Sequence, residues 1–398
     1  MNRPPVTRWT VDHLDELAVD PVLLDAVARE TPGRVALQYG EGDAWLVGRY
    51  ADVTKVTSDA RFGRAALRQR NVTRLAPNPI PLHDAVGLAD PPEHTRLRRS
   101  ASRAFTARRI DRLRPRAEKL AGRLLDGMEQ AGAPADLLAH LYTPFALHGM
   151  SELMGIPEPD RAQVAEWTGQ IITSAALPEE CERAKREIGE YLGSLVEQRM
   201  AEPQDDLLSH LVAGEQAGEL NRSELVAFAV LMQISGMNAV RFNSATMGYI
   251  LLTRPELWQR LLAEPELLPQ AVEELLRWLP HRNATGQARI ATEDVELGGV
   301  LVKAGEAVHS SYLAANRDPA VFDRPHELDF DRHPNPHLAF GHGPHYCVGA
   351  AFARMETQVM LRALLDRFPR LRLAVPASEI RWRKGELIRG PGELPVAW

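Results

Sequence analysis

The longest apolar stretch of the chain lies between Asn221 and Arg254. Its hydrophobic residues fall on every side of a helical wheel, as expected of a helix that crosses the middle of a molecule. Asn221 with Glu224 three residues on resembles a capping box, and Arg254-Pro255 is a stop, predicting a helix of about 48 Å at roughly 1.5 Å per residue. Gly236 near its centre costs about 1 kcal/mol against alanine, so it serves either close approach of a ligand, a local distortion, or helix–helix packing. Before this helix, residues 1–34 are polar and broken by prolines, with a short helix near 21–30. Residues 35–39 and 44–47 read as a hairpin turning at Gly40-Glu41-Gly42-Asp43, followed by a short helix over 50–57. Residues 63–88 have prolines at 77, 79 and 81 and no regular period. A loop this long is usually functional and is expected to face a substrate. Asp90-Pro91-Pro92-Glu93-His94 opens a helix, and helical runs continue to about residue 213, broken near 132–134, 156–159 and 177–178.

Past the central helix, one further helix is predicted over 256–279, then strands at 287–290, 295–297, 300–302 and 307–309. A polar meander over 316–336 leads into a glycine-rich loop, a helix over 350–367 and short strands at 371–375, 380–383 and 394–398. No repeat, low-complexity tract or linker interrupts residues 1–398. The pattern therefore predicts a single domain, mainly α with a small β region.

Composition narrows the class. The hydrophobic fraction of 44% and charged fraction of 25% are those of an ordinary globular protein. A net charge of −6 argues against a general nucleic-acid binder. Two cysteines, Cys181 and Cys347, exclude a disulfide scaffold and fit a reducing cytosol. The first twelve residues hold no apolar signal-peptide core, and no run approaches about 18 consecutive apolar residues. A cytoplasmic protein without membrane attachment is expected.

The candidate chemistry centres on Phe340-Gly341-His342-Gly343-Pro344-His345-Tyr346-Cys347-Val348-Gly349. A cysteine at the start of a helix is favoured as thiolate by the amide N–H groups and the helix dipole. A thiolate held in this way suits the axial position of a haem iron. Read alone, the loop fits equally a structural cysteine beside a tight turn. A cysteine nucleophile assisted by His345 is a further reading.

Three more motifs stand in order with this loop. Glu274 and Arg277 form a Glu-x-x-Arg pair, which an i,i+3 spacing puts on one helix face. His94 and Arg98 share a helix, and Arg289 begins Arg289-Ile290-Ala291. Together with Phe340, Gly343, His345, Cys347 and Gly349, these resemble the cytochrome P450 family over nearly the whole chain. The resemblance implies the single-domain fold of that family and haem b as cofactor, with Cys347 as iron ligand. It implies that His94, Arg98, Arg289 and His345 hold the haem propionates, that Phe340 and Gly349 belong to the cofactor loop, and that Glu274–Arg277 is a buried structural pair. Cys181 is left as a packing residue. Electrons would come from a ferredoxin and its reductase, with O2 as oxidant. The nine arginines between Arg96 and Arg116 are a candidate patch for an acidic ferredoxin.

One stretch departs from the family. Many members carry an acid followed by a threonine in the central helix, where this chain reads Ser235-Gly236-Met237-Asn238-Ala239. Asn238 cannot release a proton as a carboxylic acid does, and Ala239 has no hydroxyl to hold a water. With Gly236 these are the candidate catalytic positions. The departure is similar to that of members that join aromatic diketopiperazines, so oxidative coupling of a tryptophan-containing diketopiperazine is the leading expectation. Hydroxylation of a natural-product scaffold by another proton route is the alternative, and a gas sensor without turnover is a further one. The substrate pocket is expected from residues 63–88, 163–185, Asn238, Ala239 and 283–287, with Arg68 and Gln69 as hydrogen-bond donors to amide carbonyls.

Overall fold

The central helix starts where its capping residues dictate. The Asn221 side chain accepts the Glu224 N–H at 2.9 Å, and the Glu224 carboxylate accepts the Asn221 N–H at 2.8 Å. This reciprocal pair satisfies two backbone donors that a helix start leaves open. The helix then runs without a break from Arg222 to Leu252, and 20 of its 31 residues are buried. Among the described residues it is the one helix long and apolar enough to cross a membrane. Its apolar girth is used instead to pack against protein on nearly every side. The computed structural model describes residues 4–398 apart from 11–13, 15, 76–83, 173–176, 281–286 and 385–387.

In chain order the helices are α1 Pro21–Ala28, α2 Tyr50–Ser58, α3 Glu93–Ala104, α4 Ala107–Ala131, α5 Thr143–Met154, α6 Arg161–Ile172 and α7 Pro178–Ala201. They continue with α8 Leu207–Gln216, the central α9 Arg222–Leu252, α10 Pro255–Ala263, α11 Leu268–Trp278, α12 Tyr312–Ala315 and α13 Ala350–Arg367. The strands are β1 Val6–Trp9, β2 Gly33–Leu37, β3 Ala44–Val47, β4 Phe62–Gly63, β5 Ala135–Asp136 and β6 Arg289–Ala291. After these come β7 Val295–Leu297, β8 Val300–Val302, β9 Ala307–Ser310, β10 Arg372–Leu373 and β11 Pro395–Ala397. Helix dominates, as the hydrophobic pattern predicts.

The main core gathers Phe145 and Met150 of α5, Ile188 and Leu192 of α7, Phe228 and Met247 of α9, and Met360 and Leu361 of α13. Each such side chain, taken fully out of water, contributes about 1.5–3 kcal/mol before conformational entropy is charged against it. A six-stranded sheet, ordered β1-β2-β3-β9-β6-β4, packs beside this helical body on its own smaller core of Trp45, Val53, Phe62 and Val308. β2 and β3 form the predicted antiparallel hairpin, with Val35 opposite Ala44. β9 runs parallel to β3 and antiparallel to β6, setting Arg289 opposite Val308.

Four local expectations need correction. The polar N-terminus contributes β1, parallel to β2, and anchors it by Trp9, whose ring N–H donates to Asp20 at 2.7 Å. The segment 63–88 is not without structure. It begins in β4, makes turns at Ala65–Arg68 and Val86–Leu88, and bridges back at Val72 and Arg74. Asp90 holds the first turn by accepting the N–H groups of Arg64 and Ala65 at 2.8 and 2.9 Å. That partner lies 25 or more residues away, so no local period signals it. The single helix predicted over 256–279 is two, α10 and α11, divided by a turn at Pro265–Leu267. Pro265 has no N–H to continue the helical ladder. Of the strands predicted near the C-terminus, 380–383 is a single bridge at Trp382 instead.

Candidate active site

The glycines of the cysteine loop have separate jobs. Gly341 and Gly343 have φ values of 79° and 71°, a region that favours glycine. A Cβ on Gly343 would lie 2.2 Å from the Thr57 carbonyl oxygen, so this residue also lets the loop pass against the end of α2. A short turn, Gly343–His345, follows, and the Cys347 N–H donates to the Phe340 carbonyl at 2.8 Å. Cys347 thus stands three residues ahead of α13, exposed, while Cys181 is buried against the Ile171 carbonyl. Neither forms a disulfide.

Beside this loop five basic side chains converge. α3 supplies His94 and Arg98, β6 supplies Arg289, the loop supplies His345, and the turn after β4 supplies Arg64. The His94 and His345 rings lie 4.2 Å apart between centroids. Arg98 donates to the Tyr346 carbonyl at 2.5 Å, and Arg289 donates to the carbonyls of Phe62 and Thr57 at 3.1 and 3.2 Å. Asp90 is the carboxylate of this neighbourhood, and its oxygens already accept backbone N–H groups. Burial, followed by mutual repulsion, pushes Arg64 down to about 10 and His94 down to about 4. His345 is pushed lower still by the same causes. Arg64 Nε and His345 Nε2 are buried without a partner. Buried guanidinium groups, beside imidazoles that burial and their field keep unprotonated and with polar atoms left unused, are the complement of a dianion. The two carboxylates of a haem fit this set.

Arg64 was not signalled by the sequence. It follows Phe62-Gly63 in a segment without a period, and only the tertiary contact of β4 with β6 brings it to Arg289. The depressed His94 has a consequence for the haem-free protein. Its unfolded chain takes up a proton near pH 6.5 and its folded form only near 4, so stability falls as pH drops through that interval. Denaturant titrations of haem-free protein at pH 7 and pH 5 should show this loss, and His94→Gln should shrink it. An unchanged difference would contradict the repulsive cluster.

On α9, Met232, Gly236, Ala239 and Asn243 are half-buried at helical spacing, with exposed Ser235 among them. With half-buried Leu231 and Arg241 they form the open face of the middle of the helix. Gly236 carries the packing role: a Cβ there would lie 2.5 Å from Met150 Sδ on α5, and α9 passes through this position undistorted. Asn238 is 3% exposed, and its amide nitrogen has no partner.

The remaining candidates separate. Arg68 is held by Glu93 through two contacts of 3.1 and 3.2 Å, so its guanidinium is already engaged, and Gln69 is exposed. Residues 76–83, 173–176 and 283–286 of the expected pocket lie outside the described residues. Of the arginines between 96 and 116, Arg96, Arg103, Arg109 and Arg116 pair with Glu224, Glu219, Asp205 and Glu152. Arg99, Arg108 and Arg112 remain exposed. The basic patch is therefore narrower than the sequence suggests.

Residues 170–376 match the sequence profile of the family described as Cytochrome P450. The chain is 47% identical to biflaviolin synthase of Streptomyces coelicolor, over 99% of this chain and 97% of that protein. It is 44% identical to mycinamicin IV hydroxylase/epoxidase of Micromonospora griseorubida, over 93% of each. The crystal structure of cytochrome P450mel 107F1, described as having biaryl coupling reactivity, superimposes with a TM-score of 0.96 at 42% identity, covering 99% of this chain and 100% of that one. The chain belongs to the cytochrome P450 family. It is a haem b-dependent oxidoreductase of the bacterial natural-product type, acting on a small molecule with O2.

Proposed function

We propose that this protein joins two aromatic centres by oxidation, and that its substrate is an aromatic small molecule such as a tryptophan-containing diketopiperazine. The observation that carries the coupling reading is Asn238-Ala239, where an acid and an alcohol stand in many relatives. A neighbour described as having biaryl coupling reactivity supports it. The choice of a diketopiperazine rests on the sequence departure alone.

Cys347 would ligate the iron as thiolate. His94, Arg98, Arg289 and His345, joined by Arg64, would hold the propionates. When bound, the haem supplies the oxidising chemistry driven by O2 and external electrons. The protein's part is to keep Cys347 deprotonated at the start of α13, to anchor the cofactor edge with the cation cluster, and to present the open face of α9 to the substrate. Neither Asn238 nor Ala239 can deliver a proton through its side chain. Two substrate X–H bonds become one new bond, releasing two protons and two electrons. O2 takes these, with two electrons from a ferredoxin and two further protons, and leaves as two waters. The two reacting centres must be held close and aligned. The reaction is assigned to the cytoplasm, where a ferredoxin and its reductase are available.

The test is turnover of a tryptophan-containing diketopiperazine, and in parallel a polyphenol, with ferredoxin, reductase and isotopically labelled O2. Joined products free of the label are expected. Stoichiometric incorporation of label identifies a hydroxylase, the reading favoured by the similarity to mycinamicin IV hydroxylase/epoxidase. Asn238→Glu combined with Ala239→Thr should move the ratio of joined to oxygenated product by about a hundredfold, the low end of what one positioned proton donor contributes. An unchanged ratio would show that the relay positions do not select the outcome.

A further inference from the structure

A second set of charges, outside the cation cluster, grips the cysteine loop from the other side. Glu273 on α11 sits one residue before the Glu274–Arg277 pair. Its carboxylate accepts two contacts of 2.7 Å from Arg354 on α13 and lies 3.0 Å from His337 Nε2. His337 Nδ1 accepts the Ala339 N–H at 3.2 Å, so the ring proton resides on Nε2 and points at Glu273. The Arg354 guanidinium lies 4.4 Å over the centre of the Phe340 ring, and its remaining nitrogen donates to the Tyr346 hydroxyl at 3.3 Å. Both residues join the cysteine: the Phe340 carbonyl accepts the Cys347 N–H, and Tyr346 precedes Cys347 in the chain.

Burial raises the Glu273 carboxyl, but the hydrogen bonds from His337 and Arg354 outweigh it and hold the group down at about 2. The same contacts raise Arg354 against the effect of burial. Glu273 is therefore an anion and Arg354 a cation across the working pH range.

We propose that Glu273 and Arg354 form a charge-balanced clamp on Phe340 and Tyr346 that positions the Cys347 thiolate and sets the reduction potential of the iron it binds. Both are positioning residues, since they act through the loop. The inference rests on Cys347 being the iron ligand and not on the nature of the substrate. Reduction adds an electron to the iron–thiolate unit. A nearby cation favours the reduced form and a nearby anion opposes it, and in the parent protein the two nearly cancel.

The holoprotein is examined by spectroelectrochemical titration as Arg354→Gln, Glu273→Gln, the double variant, and Arg354→Lys. Arg354→Gln strands the Glu273 anion and should lower the ferrous-to-ferric ratio at a fixed applied potential, on the order of tenfold. Glu273→Gln strands the cation and should raise that ratio to a similar extent. The double variant and Arg354→Lys should return close to the parent value. A purely structural clamp would shift both single variants in the same direction, and that result, or no shift, overturns the proposal. If Arg354→Gln fails to retain haem, the direction given by Glu273→Gln decides. A parent protein lacking the red-shifted Soret band of a reduced, CO-bound haem-thiolate would instead overturn the assignment of Cys347.

Discussion

Cys347→Ser should abolish the red-shifted Soret band of the reduced, CO-bound protein and lower turnover at least about a thousandfold, equivalent to roughly 4 kcal/mol of lost barrier lowering. The reason is electronic. A thiolate is a soft, strong donor that pushes electron density toward the iron and favours O–O cleavage, whereas a serine hydroxyl remains protonated near neutral pH and donates weakly. The loop itself should survive. Its shape depends on Gly341, on Gly343 passing beneath Thr57, and on the backbone bond from residue 347 to Phe340, none of which uses the sulfur. Thermal unfolding of the variant without haem should therefore match the parent without haem within about 0.5 kcal/mol, the usual reach of an exposed substitution. Retention of the haem-thiolate spectrum in Cys347→Ser would remove this residue from the metal site.

Arg277→Ala should cost about 3–5 kcal/mol of stability, because it breaks a buried ion pair and leaves Arg332 as the one cation bonded to Glu274. Arg277 and Glu274 are both fully buried and meet through two bonds of 2.8 Å. Arg277 also donates to the carbonyls of Asn316, Pro325 and Glu327, at 2.9, 2.7 and 2.8 Å. Glu274 in turn accepts from Arg332, from the Asn335 amide and from the Asp329 N–H. The pair is thus the knot that ties α11 to the meander ahead of the cysteine loop. Deleting the arginine strands three carbonyls and removes one of the two cations that Glu274 meets, and lysine cannot replace the planar fork that serves them. Denaturant unfolding and haem retention measure the effect. A loss below about 1 kcal/mol for Arg277→Ala would mean that the meander is held by other contacts.

The site was unevenly legible before the fold was known. Cys347, His345 and Gly343 stand within one short loop, so their spacing carried the information directly. Glu274 and Arg277 are one helical turn apart, and their shared face follows from helix geometry. The central helix announced itself through its cap and its unbroken apolar composition. Arg64, by contrast, lies in a segment with no period, and β1 and β4 are short strands whose partners lie far along the chain. Arg68 looked available for a ligand, yet Glu93, 25 residues on, holds it. In the arginine run, charge was counted correctly in the sequence, but which charges are paired was not, because their carboxylate partners come from α5, α9 and the connections on either side of α8.

By itself the sequence determined what depends on neighbours a few residues away: the helices and their caps, the turn glycines, the order of the haem-family motifs and the loss of acid and alcohol at Asn238 and Ala239. The tertiary structure alone decided what depends on distant partners. It gathered Arg64, His94, Arg289 and His345 into one basic cluster, set Met150 against Gly236, and laid Arg354, paired with Glu273, over Phe340. Local pattern records backbone preference and burial along one element. Electrostatic environment is a sum over groups that chain folding brings together, and no spacing rule within a single element contains it.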